Sequence, residues 1–159
     1  MSSFRRIVLG LLASVGLLVA GAAAVPVANA EETTLRTLVV PLSAESEVPG
    51  CPAGVESGAS GVAIIQIDET TGQITYRVVA TNLPGIVTAA HIHPGATGVV
   101  NPPAPRGGFE LSGLNNGLVA AGTTTDPVLA AAILANPENY YVNVHTTACP
   151  PGTVRGQLG

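Results

Sequence analysis

From residue 35 onwards short apolar runs alternate with clusters of turn residues, and inside most runs the alternation has a period of two, the signature of half-buried strands. Residues 35–42 form the first such run. Residues 61–68 (GVAIIQID) and 73–81 (QITYRVVAT) flank ETTG, which predicts a hairpin with Gly72 at the position that needs positive φ. In the second of these runs Ile74, Tyr76 and Val78 share the face better suited to a core. Further strands are predicted over residues 89–93, 140–146 and 153–158, the last two joined by TACPPG. Two segments are predicted to be irregular: residues 43–54, and residues 94–108, whose prolines at 102, 103 and 105 exclude a central strand. One helix interrupts the pattern, with Asp126 as N-cap, Pro127 at the first helical position, an apolar run to Ala135, and Asn136-Pro137 as the stop. The fold class that follows is all-β, a Greek-key-like β-sandwich or barrel with one short helix.

The same alternation separates the histidines from the core. In AAHIHPG (residues 89–95) period two puts Ala89, His91 and His93 on one face and Ala90 and Ile92 on the other; in YYVNVHT (residues 140–146) Val142 and Val144 alternate with Tyr141, Asn143 and His145. All three histidines of the chain therefore lie in two strands, opposite the apolar faces. A His-x-His pair on one strand face can give two imidazoles to one ion, and a third from a neighbouring strand completes the minimum set for Zn or Cu. In the other reading the rings bond loop carbonyls and hold the loops in place. Around them, Glu47 and Asn143 are candidates to support the imidazoles, and Glu45 shares a face with Glu47 if their segment is extended. Arg155, beside Gln157 in the last run, is expected to be paired or to donate to loop carbonyls, because an arginine among apolar neighbours rarely stays free. No Ser-His-Asp order, phosphate-cradling glycine loop or paired-carboxylate constellation stands out.

The N-terminus changes the compartment. Arg5 and Arg6 precede a long apolar stretch that ends at Pro26 and ANA (residues 28–30), a secretory signal peptide over residues 1–30 with an A-x-A site; an uncleaved membrane anchor is the alternative. Either way residues 31–159 are exported, and the membrane is touched only through an uncleaved signal segment. Removing thirty of 159 residues leaves enough for one domain. All basic residues are arginine, and four against ten acids remain after cleavage, which argues against nucleic acid as a partner. Export makes a disulfide between Cys51 and Cys149 the natural reading, with a reduced pair as the alternative. In the chain-entropy account a loop of this length is worth about 4 to 5 kcal/mol.

SEVP (residues 46–49), AAHIHPG, YYVNVHT and PPGTVRGQL (residues 150–158), in this order and spacing, resemble the CHRD domain, a module named after chordin and also found singly in secreted bacterial proteins. The resemblance runs from about residue 35 to residue 158. Ser46 stands where the family usually has Asn, and Thr153-Val154 replace Glu-Ile before Arg155. Membership implies an extracellular, non-catalytic binding or structural module, with an extracellular protein or a cell-surface ligand as partner, and assigns no cofactor. A second, sparser resemblance points to a metal protein: HIH, a VH strand, an internal disulfide and a late arginine are similar in outline to copper/zinc superoxide dismutase, also a Greek-key β-sandwich. The dismutase's further histidines and zinc-site aspartate have no counterpart, so its zinc site is excluded. Copper would rest on His91, His93 and His145, with Arg155 the candidate to attract an anion. Shared architecture does not carry that activity.

Overall fold

A computed structural model describes residues 34–55 and 58–159; the expected signal peptide lies outside the described residues. Seven strands form one antiparallel sheet: β1 (Leu35–Ser43), β2 (Ser60–Asp68), β3 (Gln73–Thr81), β4 (Val87–Pro94), β5 (Gly117–Thr125), β6 (Tyr140–Thr146) and β7 (Val154–Gln157), in the order β4-β6-β7-β1-β2-β3-β5. Isolated bridges from His91 to Gly108 and from Leu111 to Ala120 link the two edge strands through residues 107–112, so the sheet curls into a nearly closed barrel. The β3–β4 connection passes β5 and the β5–β6 connection passes β4, which is Greek-key-like connectivity.

The core follows from the period-two pattern. Ile65, Ile67, Ile74, Val78, Ile92, Val142, Val144 and Val154 are among the fully or almost fully buried residues that fill the barrel. Ile74, Tyr76 and Val78 face inwards as expected, and Gly72 has φ +69° in the β2–β3 turn. That turn is held by Asp68, whose carboxylate accepts from the amides of Thr70 and Thr71. Helix α1 spans Pro127–Ala135, the span expected, and buries Leu129, Ala130 and Ile133. Asp126 caps it by accepting from the Val128 and Leu129 amides at 3.1 and 3.0 Å. Asp126→Ala is expected to destabilise the protein by about 1 kcal/mol in urea unfolding, with Asp126→Asn close to wild type.

Strand β5 was not anticipated. GLVAAGTTT is poor in β-branched apolar residues, and its buried pair Val119-Ala120 is consecutive where alternation would separate them. It is a strand because β3 pairs with it along nearly its whole length, with a register shift between Val78 and Val79.

Candidate metal centre

Antiparallel pairing of β4 with β6 places His91 opposite Asn143, His93 opposite Tyr141, and Ala89 opposite His145. β7 continues two of these rows, with Arg155 beside Asn143 and Gln157 beside Tyr141. The result is a polar outer face on the barrel wall, backed by Ala90, Ile92, Val142 and Val144 on the inner side. The methyl of Ala89 leaves room above it for the His145 ring, which is the diagonal neighbour of His91. Ring centroids lie 5.4 Å apart for His91 and His93, 5.1 Å for His91 and His145, and 5.7 Å for His93 and His145.

Loops cover this face. Nδ1 of His93 donates to the Asn101 carbonyl at 2.8 Å, and Nδ1 of His145 donates to the Pro150 carbonyl at 3.0 Å. A carbonyl can only accept, so each Nδ1 carries the proton and each Nε2 keeps a free lone pair. Those two Nε2 atoms, and Nδ1 of His91, are buried with no hydrogen-bond partner. One ring nitrogen from each histidine lies within 4.8 Å of the other two. A tetrahedral ion bound at about 2.0–2.1 Å spaces its nitrogen ligands about 3.3 Å apart, so modest ring rotations would close the set.

The surroundings favour uncharged imidazole. Burial, followed by the proximity of His145 and then His93, pushes the His91 pKa down to about 4. Burial also lowers His93 and His145, although their carbonyl partners pull the other way. Tyr141 stacks on His93 at 4.8 Å with 11° between the rings, and the Arg155 guanidinium lies 3.4 Å over the Tyr141 ring. Arg155, only 2 % exposed, donates to the carbonyls of Val99 and Ala96 at 2.8 and 2.9 Å, and Gln157 donates to that of Gly95 at 2.6 Å. These bonds clamp residues 95–101, the loop that presents the Asn101 carbonyl to His93.

Residues 38–158 match the profile described as the CHRD domain. The chain belongs to the CHRD domain family. Comparison with curated proteins finds no match, and comparison with solved structures finds none either. In this CHRD domain the four motifs meet at one place: AAHIHPG forms most of β4 and the residue after it, YYVNVHT is β6, and PPGTVRGQL supplies β7 and the turn before it. SEVP supplies Glu47, whose carboxylate accepts from Nδ2 of Asn143 at 3.4 Å.

Glu45 and Glu47 do not share a face. Residues 43–47 turn, with the Glu47 amide donating to the Ala44 carbonyl and the Ser46 amide to Oγ of Ser43, so Glu45 is exposed and Glu47 is buried. Glu47 supports Asn143, while backbone carbonyls orient the imidazoles of His93 and His145. Burial raises the Glu47 pKa to about 7, against the opposing pull of Arg155 and of the Asn143 bond. Gly152, at φ +154°, lies directly over Glu47 and Asn143, where a Cβ would collide with both side chains.

The disulfide joins Cys51 to Cys149, pinning the Glu47 loop to the β6–β7 turn. Three groups escaped the sequence reading as parts of the site. The Asn101 and Pro150 carbonyls carry no side-chain signal, whereas the alternation of β6 already put Tyr141 on the histidine face.

Proposed function

We propose that this CHRD-domain protein is an exported, non-catalytic metal-binding module that holds Cu or Zn through His91, His93 and His145. The observation that carries the reading is the set of three buried, unpartnered imidazole nitrogens that converge from two strands. Two of them are fixed in the ligating tautomer by carbonyl partners, the arrangement by which proteins orient metal-bound histidine. Two lone pairs, on Nε2 of His93 and of His145, are buried without a partner beside the equally unpartnered Nδ1 of His91; this is unfavourable in a buried site, and a cation resolves the conflict. When bound, the ion would supply a Lewis-acidic centre with a fourth position left to solvent or to a small ligand.

The non-catalytic part rests on Arg155. An arginine that attracts an anion to a redox copper has to face solvent, and this one is buried, stacked on Tyr141 and bonded to two loop carbonyls. Export is supported by the disulfide and by the family.

Titration of tag-free protein with Zn²⁺ or Cu²⁺ tests the site. A ligand specific to the folded state stabilises it by about 2.7 kcal/mol at a hundred times Kd. For a domain of this size that raises Tm by roughly 10 °C. His91→Ala, His93→Ala and His145→Ala should each abolish the shift. A melting curve unmoved by either ion, together with protein that copurifies with no metal, would exclude the reading.

A further inference from the structure

We infer that the Cys51–Cys149 disulfide sets the metal affinity of the three-histidine site, so that its reduction loosens the ion and the ion in turn protects the disulfide. This rests on the metal-binding reading above. The link is the β6–β7 turn, residues 147–152. Its Pro150 carbonyl accepts from Nδ1 of His145 at 3.0 Å and thereby aims the Nε2 lone pair at the other two rings. Cys149 is the pivot of that turn: its amide donates to Oγ1 of Thr146 at 3.1 Å, and its carbonyl accepts from the amides of Thr146 and Gly152. Thr146 is in turn bonded to Thr153 across the strand pair at 3.0 Å.

Cys149 is fully buried, and its sulfur is joined to a residue 98 positions away in the loop that carries Glu47. That loop reaches the histidine face through the Glu47–Asn143 bond, and Asn143 is the cross-strand partner of His91. The one covalent bond therefore steadies the turn behind His145 and the residue that flanks His91. Cut, it frees the loop and the turn from each other. The Pro150 carbonyl then loses its fixed position, and His145 can exchange tautomer and rotate away.

The reductant is a dithiol. It transfers two electrons to the S–S bond and becomes a disulfide itself, while its two protons end on the sulfurs of Cys51 and Cys149. Because binding free energies are linked, whatever factor reduction takes from metal affinity the bound metal must return as resistance to reduction.

Zn²⁺ and Cu²⁺ affinities of wild type and of Cys51→Ser/Cys149→Ser, measured by competition with a chromophoric chelator, provide the test. Serine keeps new thiolates from serving as ligands. Loss of support behind a ligating histidine typically weakens binding 10- to 100-fold, and a loss of that size is expected here. Ile67→Ala, a cavity in β2 away from the turn, should lower Tm and leave Kd within about twofold. If the serine variant does not fold, the fraction of wild-type disulfide reduced at equilibrium in dithiol/disulfide buffers of set ratio can be measured with and without Zn²⁺, free Zn²⁺ being held well above Kd. Bound zinc should raise the dithiol-to-disulfide ratio needed for half-reduction by about tenfold or more, and His145→Ala should remove the shift.

Equal affinities in the folded serine variant, equal losses in Ile67→Ala, or a half-reduction ratio indifferent to zinc would each overturn the coupling. Failure of wild type to bind either ion would instead remove the metal reading on which the coupling stands.

Discussion

Arg155→Ala is expected to destabilise the domain by about 3–5 kcal/mol, a large share of the stability of any small protein. Four interactions go at once. The carbonyls of Val99 and Ala96 lose charge-assisted donors, Tyr141 loses the cation over its ring, and the buried carboxylate of Glu47 loses the positive charge that offsets its burial. Arg155→Lys should recover little, because one ammonium cannot fork to two carbonyls and also lie flat on an aromatic ring. The loss should depend on pH. Glu47 titrates at about 7, so at pH 5 it is protonated and needs no counter-charge. The penalty in the alanine variant should then be smaller at pH 5 than at pH 8. Urea unfolding of wild type and both variants at these two pH values measures it. A loss under about 1 kcal/mol, or full rescue by lysine, would show that the clamp on residues 95–101 is not what Arg155 provides.

The clamp explains how far the site could be read from residue types. Alternation within HIH and VNVH was enough to place three imidazoles on one side of the barrel wall, because a strand repeats every two residues whatever surrounds it. The adjacency of β4 and β6 is another matter. It depends on β5, a strand with no alternating pattern of its own, which pairs with β3 and leaves β6 the free edge of β4. The helix was legible to its end residues because its cap, its N1 proline and its stop are all local. For Glu45 the converse holds: it shares a face with Glu47 only in an extended segment, and the turn that Ser43 and Ala44 hold does not meet that condition. The two carbonyls that orient His93 and His145 belong to residues 101 and 150, whose side chains have no part in that contact. Their role is fixed by the loop path, and the path is set by Arg155, Gln157 and the disulfide.

The metal-free protein should lose stability on acidification below pH 6.5, and Glu47→Gln should make the loss steeper. Folded His91 resists protonation until about pH 4, and His93 and His145 are also held below their ordinary value, whereas in the unfolded chain all three take up protons near 6.5. Between these limits the unfolded state binds more protons, so stability is fully present above pH 6.5 and falls as the pH drops. Glu47 acts in the opposite direction. Its folded pKa of about 7 exceeds the unfolded 4.5, so its contribution is complete below pH 4.5 and is lost as the pH rises through 7. The two effects overlap and partly cancel, with three histidines set against one carboxyl. Glutamine stays neutral throughout and can donate to Oδ1 of Asn143, a buried acceptor with no partner. It removes the opposing carboxyl, so the slope between pH 5 and 6.5 should steepen by roughly one proton, about 1.4 kcal/mol per pH unit. Relative to wild type, the variant should gain of order 3 kcal/mol between pH 4.5 and 8. Parallel stability profiles for the two proteins between pH 5 and 8, measured with a chelator present, would mean that Glu47 is ionised in the fold throughout that range and that its burial is compensated by Arg155 alone.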